Sequence, residues 1–401
     1  MMKKIVETDI VIVGGGVAGL WLLNRLRQLG FSVILLESDT LGGGQTHMAQ
    51  GIIHGGMKFA LQGVLTTASQ TIADMPKIWE QCLQGAGEIN LSQVPILSEN
   101  QYLWTTNVLT GKLAGFFAKQ ALQGTVQTLA RKEFPDVFHH PQFKGQVYAL
   151  AERVIDVYAL IRELVKPNQD VIFKIDRLHE DQLQLNSRGG VELLEVQAAP
   201  SDLVQIKARK YIFTAGGGNE FLTKKLNNKE VAMQRRPLHM LLAKTNFSHS
   251  LYAHCLGMSA APRISITSHT SYEGKTVWYL GGQIAEEGVK RDPEAQIQAG
   301  KEEMKKLFPW LDFASAEWAS FLVDRAEALQ ANGKRPDGPY VKEIENLMVA
   351  WPTKLAFAPA LADEIIACLK HSEFRDGIFD TRALRMFPMP CIAKPIWDEL
   401  L

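Results

Sequence analysis

The chain has 401 residues, room for two modest domains or one core carrying a large insertion. Apolar residues make up 46% and charged residues 21%, a globular balance that excludes a disordered or fibrous chain. Lys+Arg and Asp+Glu both total 43, so the formal net charge is zero, without the basic surplus of a nucleic-acid binder driven by phosphate contacts. No segment approaches the roughly 18 consecutive apolar residues of a membrane span. The start, Met1 to Asp9, sets Lys3, Lys4, Glu7 and Asp9 around a short apolar strand, unlike the core of a signal peptide. Cys82, Cys255, Cys368 and Cys391 lie far apart, with no CxxC pair and no zinc spacing, so they read as reduced thiols of a cytoplasmic protein without a metal. Peripheral association with a membrane stays compatible with this composition.

Asp9 to Val13 is a short apolar run, the pattern of a strand buried on both faces of a parallel sheet. Gly14-Gly15-Gly16-Val17-Ala18-Gly19 follows, matching GxGxxG through Gly14, Gly16 and Gly19. Leu20 to Leu29 reads as a helix ended by Gly30, and a second strand, Phe31 to Leu36, ends in Glu37. Each part has a mechanical reason. Gly14 permits the tight turn, Gly16 lets backbone N–H groups approach a pyrophosphate, and Gly19 lets helix and strand pack closely. The helix N-terminus stabilises phosphate charge. Glu37 is placed to accept hydrogen bonds from the ribose hydroxyls of an adenosine and would repel a 2′-phosphate. Strand, glycines, helix, strand and terminal acid together indicate dinucleotide binding without use of NADP.

A second Gly-rich stretch, Leu41-Gly42-Gly43-Gly44-Gln45-Thr46, leads to Gln50-Gly51-Ile52-Ile53-His54-Gly55-Gly56-Met57-Lys58-Phe59. Here the sequence resembles the flavoenzymes of the D-amino-acid oxidase superfamily, which includes glycerol-3-phosphate dehydrogenase, glycine oxidase and L-2-hydroxyglutarate dehydrogenase. The stretch Ile53 to Phe59 is most similar to the Ile-His-Gly-Gly-Leu-Arg-Tyr segment of the glycerol-3-phosphate dehydrogenases, which runs beside the flavin ring and brings a basic residue to the substrate. The resemblance implies non-covalent FAD; a covalent link through His47 or His54 is disfavoured. It also implies an α/β fold (α+β overall), a Rossmann-like FAD-binding domain with an inserted antiparallel-sheet substrate domain.

Farther along, Thr66 to Gln84 is helical by pattern with an interruption at Pro76, and Gly85-Ala86-Gly87 breaks the chain. From Ile96 to Val147 short apolar runs alternate with turns, which suits an antiparallel sheet. Arg153 to Leu160 resembles the superfamily's return into the FAD domain, a strand edge leading into a helix. Val171 to Ile175 is a β-rich run whose start, by resemblance, sets the backbone of Val171 against the adenine. Tyr211-Ile212-Phe213-Thr214-Ala215-Gly216-Gly217-Gly218 is a buried strand breaking into glycines, similar to the superfamily's second FAD-contacting turn. Between Val231 and Gly288 lie three runs of strand formers, His239–Ala243, Arg263–Thr267 and Thr276–Leu280. Pro293 opens an amphipathic helix to Phe308, and a second helix is expected from about Ser315 to Leu329. Leu347 to Trp351 is the last strand, followed by Pro352-Thr353-Lys354-Leu355 and a helix from about Ala360 to Leu369. The expected FAD domain is discontinuous, 1–84, 150–225 and 331–401, with 85–149 and 226–330 forming the substrate domain.

What the resemblance implies about the site follows residue by residue. FAD would be held by Gly14, Gly16, Val17, Ala18, Gly19, Glu37 and Ser38, by Gly44, Gln45, Thr46, Gln50, Gly51 and Ile52, by Val171, by Ala215 and Gly216, and by Lys354 and Leu355. The turn Gly333-Lys334-Arg335-Pro336-Asp337-Gly338-Pro339 resembles the Arg-Pro turn in which these enzymes grip the substrate's anionic group, making Arg335 the anchor. A guanidinium suits that task because it makes two parallel, charge-assisted bonds. Pro352-Thr353-Lys354-Leu355 looks like their Gly-Gly-Lys-Leu segment under the flavin and adds Lys354 as a cation, with Pro352-Thr353 in place of the two glycines. Gln234 to Met240 resembles the Arg-Pro-Ser-Lys-Gly-Ser-His segment, which implies His239 as catalytic base; His254 and His269 are lesser candidates. Lys58 and His54 complete the substrate set. The expected reaction moves hydride from a small anionic substrate, glycerol 3-phosphate or a 2-hydroxy acid, to flavin N5, with O₂ or a quinone as final acceptor. Phe59 in place of tyrosine, and no counterpart of the dehydrogenases' extra C-terminal helical domain, keep other anions open. An amino-acid or amine oxidase using O₂, or a flavin-binding protein without turnover, are the alternatives.

Overall fold

Strands that are apolar on both faces need cover on both sides, and those of this chain collect into one sheet. The computed structural model describes residues 4–55, 67–106, 126–199, 203–226, 231–256, 262–331, 333, 336–369 and 380–401. Across the first sheet the order is Tyr340–Ile344, Leu347–Trp351, Val204–Phe213, Lys4–Val13, Val33–Glu37 and Ile172–Lys174. The last five run parallel, and Tyr340–Ile344 joins as a hairpin strand. Val191–Val196 and Leu183–Leu185 extend it antiparallel beside the first half of Val204–Phe213. One face is covered by the helices Val17–Gln28, Val157–Val165 and Ala358–Cys368 through Leu20, Leu23, Leu160, Leu361 and Ile365. Asp156 starts the middle helix, its carboxylate accepting the N–H groups of Tyr158 and Ala159.

The second sheet follows the period-2 rule. Its order is Glu317–Ala328, Met233–Thr245, Thr276–Gly281, Ile264–Thr270, Ala253–Cys255, Gln101–Trp104, Val147–Leu150 and Val126–Thr128. Neighbours are antiparallel except Ala253–Cys255 against Gln101–Trp104. Alternation divides the side chains cleanly. Leu241, Trp278, Leu280, Ile264 and Ile266 meet Met304 and Leu307 of the helix Pro293–Leu307 on the outer face. Leu238, Met240, Leu242 and Tyr279 face inward, toward Met48, Tyr158 and Trp397. Among the described residues no helix is long and apolar enough to cross a membrane.

Two local expectations need correction, and a third position takes an unusual backbone path. The segment from Ser315 to Leu329 is not a helix but the strand Glu317–Ala328, registered against Met233–Thr245 from Lys244↔Glu317 to Met233↔Ala328. Its sequence satisfies helical spacing, yet the long neighbouring strand offers a continuous ladder, and tertiary pairing overrides that local preference. Pro76 does not interrupt its helix, which runs Thr67–Leu83 with Pro76 inside. Trp79 and Cys82 are buried in the core, and that packing offsets the lost backbone bond. At Pro352-Thr353 the glycine-like path survives without glycine. Thr353 takes φ +60° and donates its hydroxyl to Gly338 O at 3.0 Å. That left-handed geometry costs about 1–2 kcal/mol in a non-glycine residue.

Candidate functional site

The turn between Lys4–Val13 and Val17–Gln28 is shaped by three close approaches. Gly14 has φ +111°, and a Cβ there would lie 2.6 Å from Ala215 Cα; one at Gly19 would lie 2.0 Å from Gly14 O. Gly16 starts the helix without a side-chain cap. Thr46 reaches across to accept the Val17 N–H at 3.1 Å, and a Cβ at Gly16 would meet only the Thr46 hydroxyl. The Cβ position of Gly16 has no other neighbour within 4 Å among the described residues, so the start of the helix has the open approach that a pyrophosphate needs. Glu37 ends its strand with Oε2 accepting Gly15 N–H at 2.6 Å and Oε1 accepting Asp39 N–H at 2.7 Å. Each oxygen keeps a second lone pair for a ribose hydroxyl, with Ser38 adjacent. Ala215 and Gly216 close the other side: Gly216 has φ +56°, its carbonyl accepts Trp351 Nε1–H, and Gln45 Nε2 stands nearest its missing Cβ. These residues fit a dinucleotide such as FAD at the carboxyl ends of the parallel strands.

Val171 does not belong to that set. It ends a short 3₁₀ turn at the amino end of Ile172–Lys174, whereas Lys174 pairs with Glu37 and Ile175 N–H donates to Glu37 O at 2.9 Å. The carboxyl end of that strand, not its start, lies beside the ribose acceptor. Gln50 also departs from expectation. Its amide donates to Tyr279 O and accepts from Ser265 Oγ, so the side chain ties the loop to the inner face of the antiparallel sheet. Two buried phenols tie the same loop, Tyr158 to His47 O at 2.7 Å and Tyr279 to Met48 O at 2.6 Å, and burial raises both pKa values.

The stretch 51–55 then runs beside 152–155. Gly51 has φ +74°, and a Cβ there would lie 2.2 Å from Ile155 O; Ile52 bridges Val154, and Ile53 N–H donates to Arg153 O. This pairing sets His54 opposite Glu152. Glu152 is 6% exposed; its Oε2 stands 3.2 Å from His54 Nδ1 and its Oε1 accepts Gly55 N–H at 2.7 Å. The ring of His254 stacks on His54, centroids 6.2 Å apart and planes at 18°. Cross-strand register lines His254 up with Leu103 and Tyr148 on one side and Ser265 and Gly281 on the other. The helix Thr67–Leu83 links this neighbourhood to the turn that holds Lys354 and Leu355: its Pro76 lies against Gly55 and its Trp79 Nε1 donates to Ala356 O. Lys354 Nζ stands 5.3 Å over the Phe357 ring. Lys58 and Arg335 lie outside the described residues, as does Phe59. No cluster of metal-binding side chains occurs among the described residues. Glu152 carried no motif in the sequence; only its pairing partner gives it a role.

His239 is not among these residues. It is an odd-numbered position on its strand, so its ring points to the outer face, with Nδ1 donating to Gly288 O at 2.9 Å and Nε2 accepting from Ser320 Oγ at 3.0 Å. With both nitrogens engaged and 3% exposure, it is a structural residue and not the base. His239→Ala should lower stability by about 1–3 kcal/mol, because the buried Gly288 carbonyl and the half-buried Ser320 hydroxyl lose their partner. Urea unfolding measures that loss, and FAD content per folded molecule should stay unchanged. His269 is likewise removed from the site. It faces inward but is sealed, stacked on Trp397 at 4.1 Å with Nε2 at Thr267 Oγ1.

Burial pushes the pKa of His269 down to about 3, from an ordinary 6.5. The unfolded chain therefore takes up this proton first, and the contribution is present above pH 6.5 and lost as pH falls toward 3. By pH 4.5 the loss is on the order of 2–3 kcal/mol. Urea midpoints at pH 7.5 and 4.5 should converge in His269→Phe relative to the wild type; an equal acid loss in both would show that another group carries it.

Comparisons with known proteins show the family and the fold. The family model described as FAD dependent oxidoreductase (DAO) matches residues 9–366. A curated relative from Pseudomonas aeruginosa, named Probable FAD-dependent oxidoreductase PA4991, is 45% identical over 398 residues, covering 99% of each chain. Its crystal structure superposes with a TM-score of 0.82 at 40% identity, again over 99% of each chain. Glycine oxidase from Geobacillus kaustophilus matches at a TM-score of 0.62 and 15% identity, over 94% of this chain and 97% of that one. The L-alpha-glycerophosphate oxidase from Mycoplasma pneumoniae, solved with FAD bound, matches at 0.57 and 16%, over 98% and 97%. The last two likenesses are of fold.

Proposed function

The chain belongs to the FAD dependent oxidoreductase family and is an FAD-dependent oxidoreductase, and on that premise we propose that it acts as a dehydrogenase on a small anionic substrate such as glycerol 3-phosphate or a 2-hydroxy acid. Non-covalently bound FAD supplies the acceptor for the hydride that leaves the substrate carbon. The residues of this chain supply position and proton handling. His54 takes the hydroxyl proton, in place of His239. The observation that carries this reading is the meeting of His54, Glu152 and His254, which brings a partly exposed imidazole and its carboxylate partner to the inner face of the antiparallel sheet. Lys354 provides positive charge nearby, and Lys58 and Arg335 are proposed to hold the substrate's anionic group. The same division of sheets supports a cofactor domain of 1–84, 150–225 and 331–401 and a substrate domain of 85–149 and 226–330.

The test is anaerobic bleaching of the bound flavin against glycerol 3-phosphate, 2-hydroxy acids and amino acids. Bleaching by the first two groups supports the proposal. Bleaching by amino acids, with peroxide formed on admitting air, favours an amine oxidase. Re-oxidation by O₂ against re-oxidation by a soluble quinone separates the two acceptors.

A further inference from the structure

Glu152 occupies a position that its chemistry explains and its sequence context does not announce. Its carboxylate is buried and faces two donors at once, the Gly55 N–H at Oε1 and His54 Nδ1 at Oε2. A carboxylate only accepts, so the His54 nitrogen facing it carries a proton. We infer that Glu152 is a positioning residue that locks His54 with its proton on Nδ1 and its lone pair on Nε2, the nitrogen on the far side of the ring. The hold on Gly55 N–H keeps the carboxylate from turning away, and the ring of His254 lies nearly parallel to that of His54 with centroids 6.2 Å apart. This inference rests on the reading of His54 as proton acceptor for its significance, but not for its test.

Glutamine at position 152 makes the prediction sharp. It has the same shape but one accepting oxygen, and the Gly55 N–H requires it. The amide NH₂ then faces His54 Nδ1, which must become an acceptor, so the proton moves to Nε2. The experiment is ¹⁵N NMR of the FAD-loaded protein carrying ring-labelled histidine, with His54 assigned by difference against His54→Asn. The wild type at pH 7.5 should show one tautomer, protonated at Nδ1 alone. Glu152→Gln should show the opposite tautomer or a mixture, and Glu152→Asp, which keeps two accepting oxygens, should restore the wild-type pattern at least in part. A wild-type His54 divided between tautomers, or protonated at Nε2, overturns the inference without any variant. So does a Glu152→Gln spectrum identical to wild type. A locked tautomer together with unchanged flavin reduction in His54→Asn would leave the positioning intact and defeat the proposed function instead.

Discussion

Replacing Gly16 with valine is expected to give a folded protein that no longer retains FAD. Gly16 has φ −76° and ψ −178°, extended backbone that any residue adopts, and an added Cβ meets only the Thr46 hydroxyl at 3.1 Å. The protein therefore accommodates the first carbon at little cost. The two methyl groups beyond it would enter the space in front of the helix amides, the seat proposed for the pyrophosphate. Losing several charge-assisted bonds of this kind costs on the order of 3 kcal/mol or more, at least a hundredfold in affinity. Glu37→Ala should weaken FAD by a similar factor, because it removes the ribose acceptor and leaves the N–H groups of Gly15 and Asp39 without their partner. Absorbance of the purified protein and equilibrium dialysis report binding, while far-ultraviolet circular dichroism reports the fold. A Gly16→Val protein that stayed folded and kept stoichiometric flavin would place the cofactor elsewhere.

The first strand–turn–helix–strand unit was legible because its parts are contiguous. Strand, glycine turn, helix and acid follow one another within the stretch from Lys4 to Glu37, and each constraint is local. Distance in the chain hides the rest. Glu317–Ala328 has helical spacing, and only the neighbouring ladder makes it a strand. His239 has the right motif but the wrong parity: one position along a strand reverses the face, and Met240, next to it, points inward while His239 points out. Val171 fails for a directional reason, since a parallel strand presents its ligand at its carboxyl end. Glu152 has no motif at all. It matters because the bridge Ile52↔Val154 brings together segments about a hundred residues apart, and no periodicity in either segment encodes that register.

His54→Asn should slow flavin reduction by roughly a hundred- to ten-thousandfold, the usual range for a positioned base, while FAD stays bound. Asparagine is chosen because its amide N–H can still donate to Glu152, so the pairing of 51–55 with 152–155 loses little. What disappears is the lone pair that His54 carries on Nε2. Neither His239 nor His269 stands ready to replace it. His239 spends both nitrogens on Gly288 and Ser320, and His269 is closed under Trp397 with its pKa held near about 3. His254 lies close to His54, its ring centroid 6.2 Å away and the two planes at 18°. The seat proposed for the nucleotide end of FAD is Gly14 to Gly19, Glu37 and Gly216, whereas His54 is held by Glu152, so cofactor content separates a chemical defect from a structural one. Stopped-flow reduction under anaerobic conditions, with the acid that bleaches the wild type, gives the rates. If His54→Asn reduced its flavin at the wild-type rate, the proton would have to leave by another route, and His254 would become the residue to replace next.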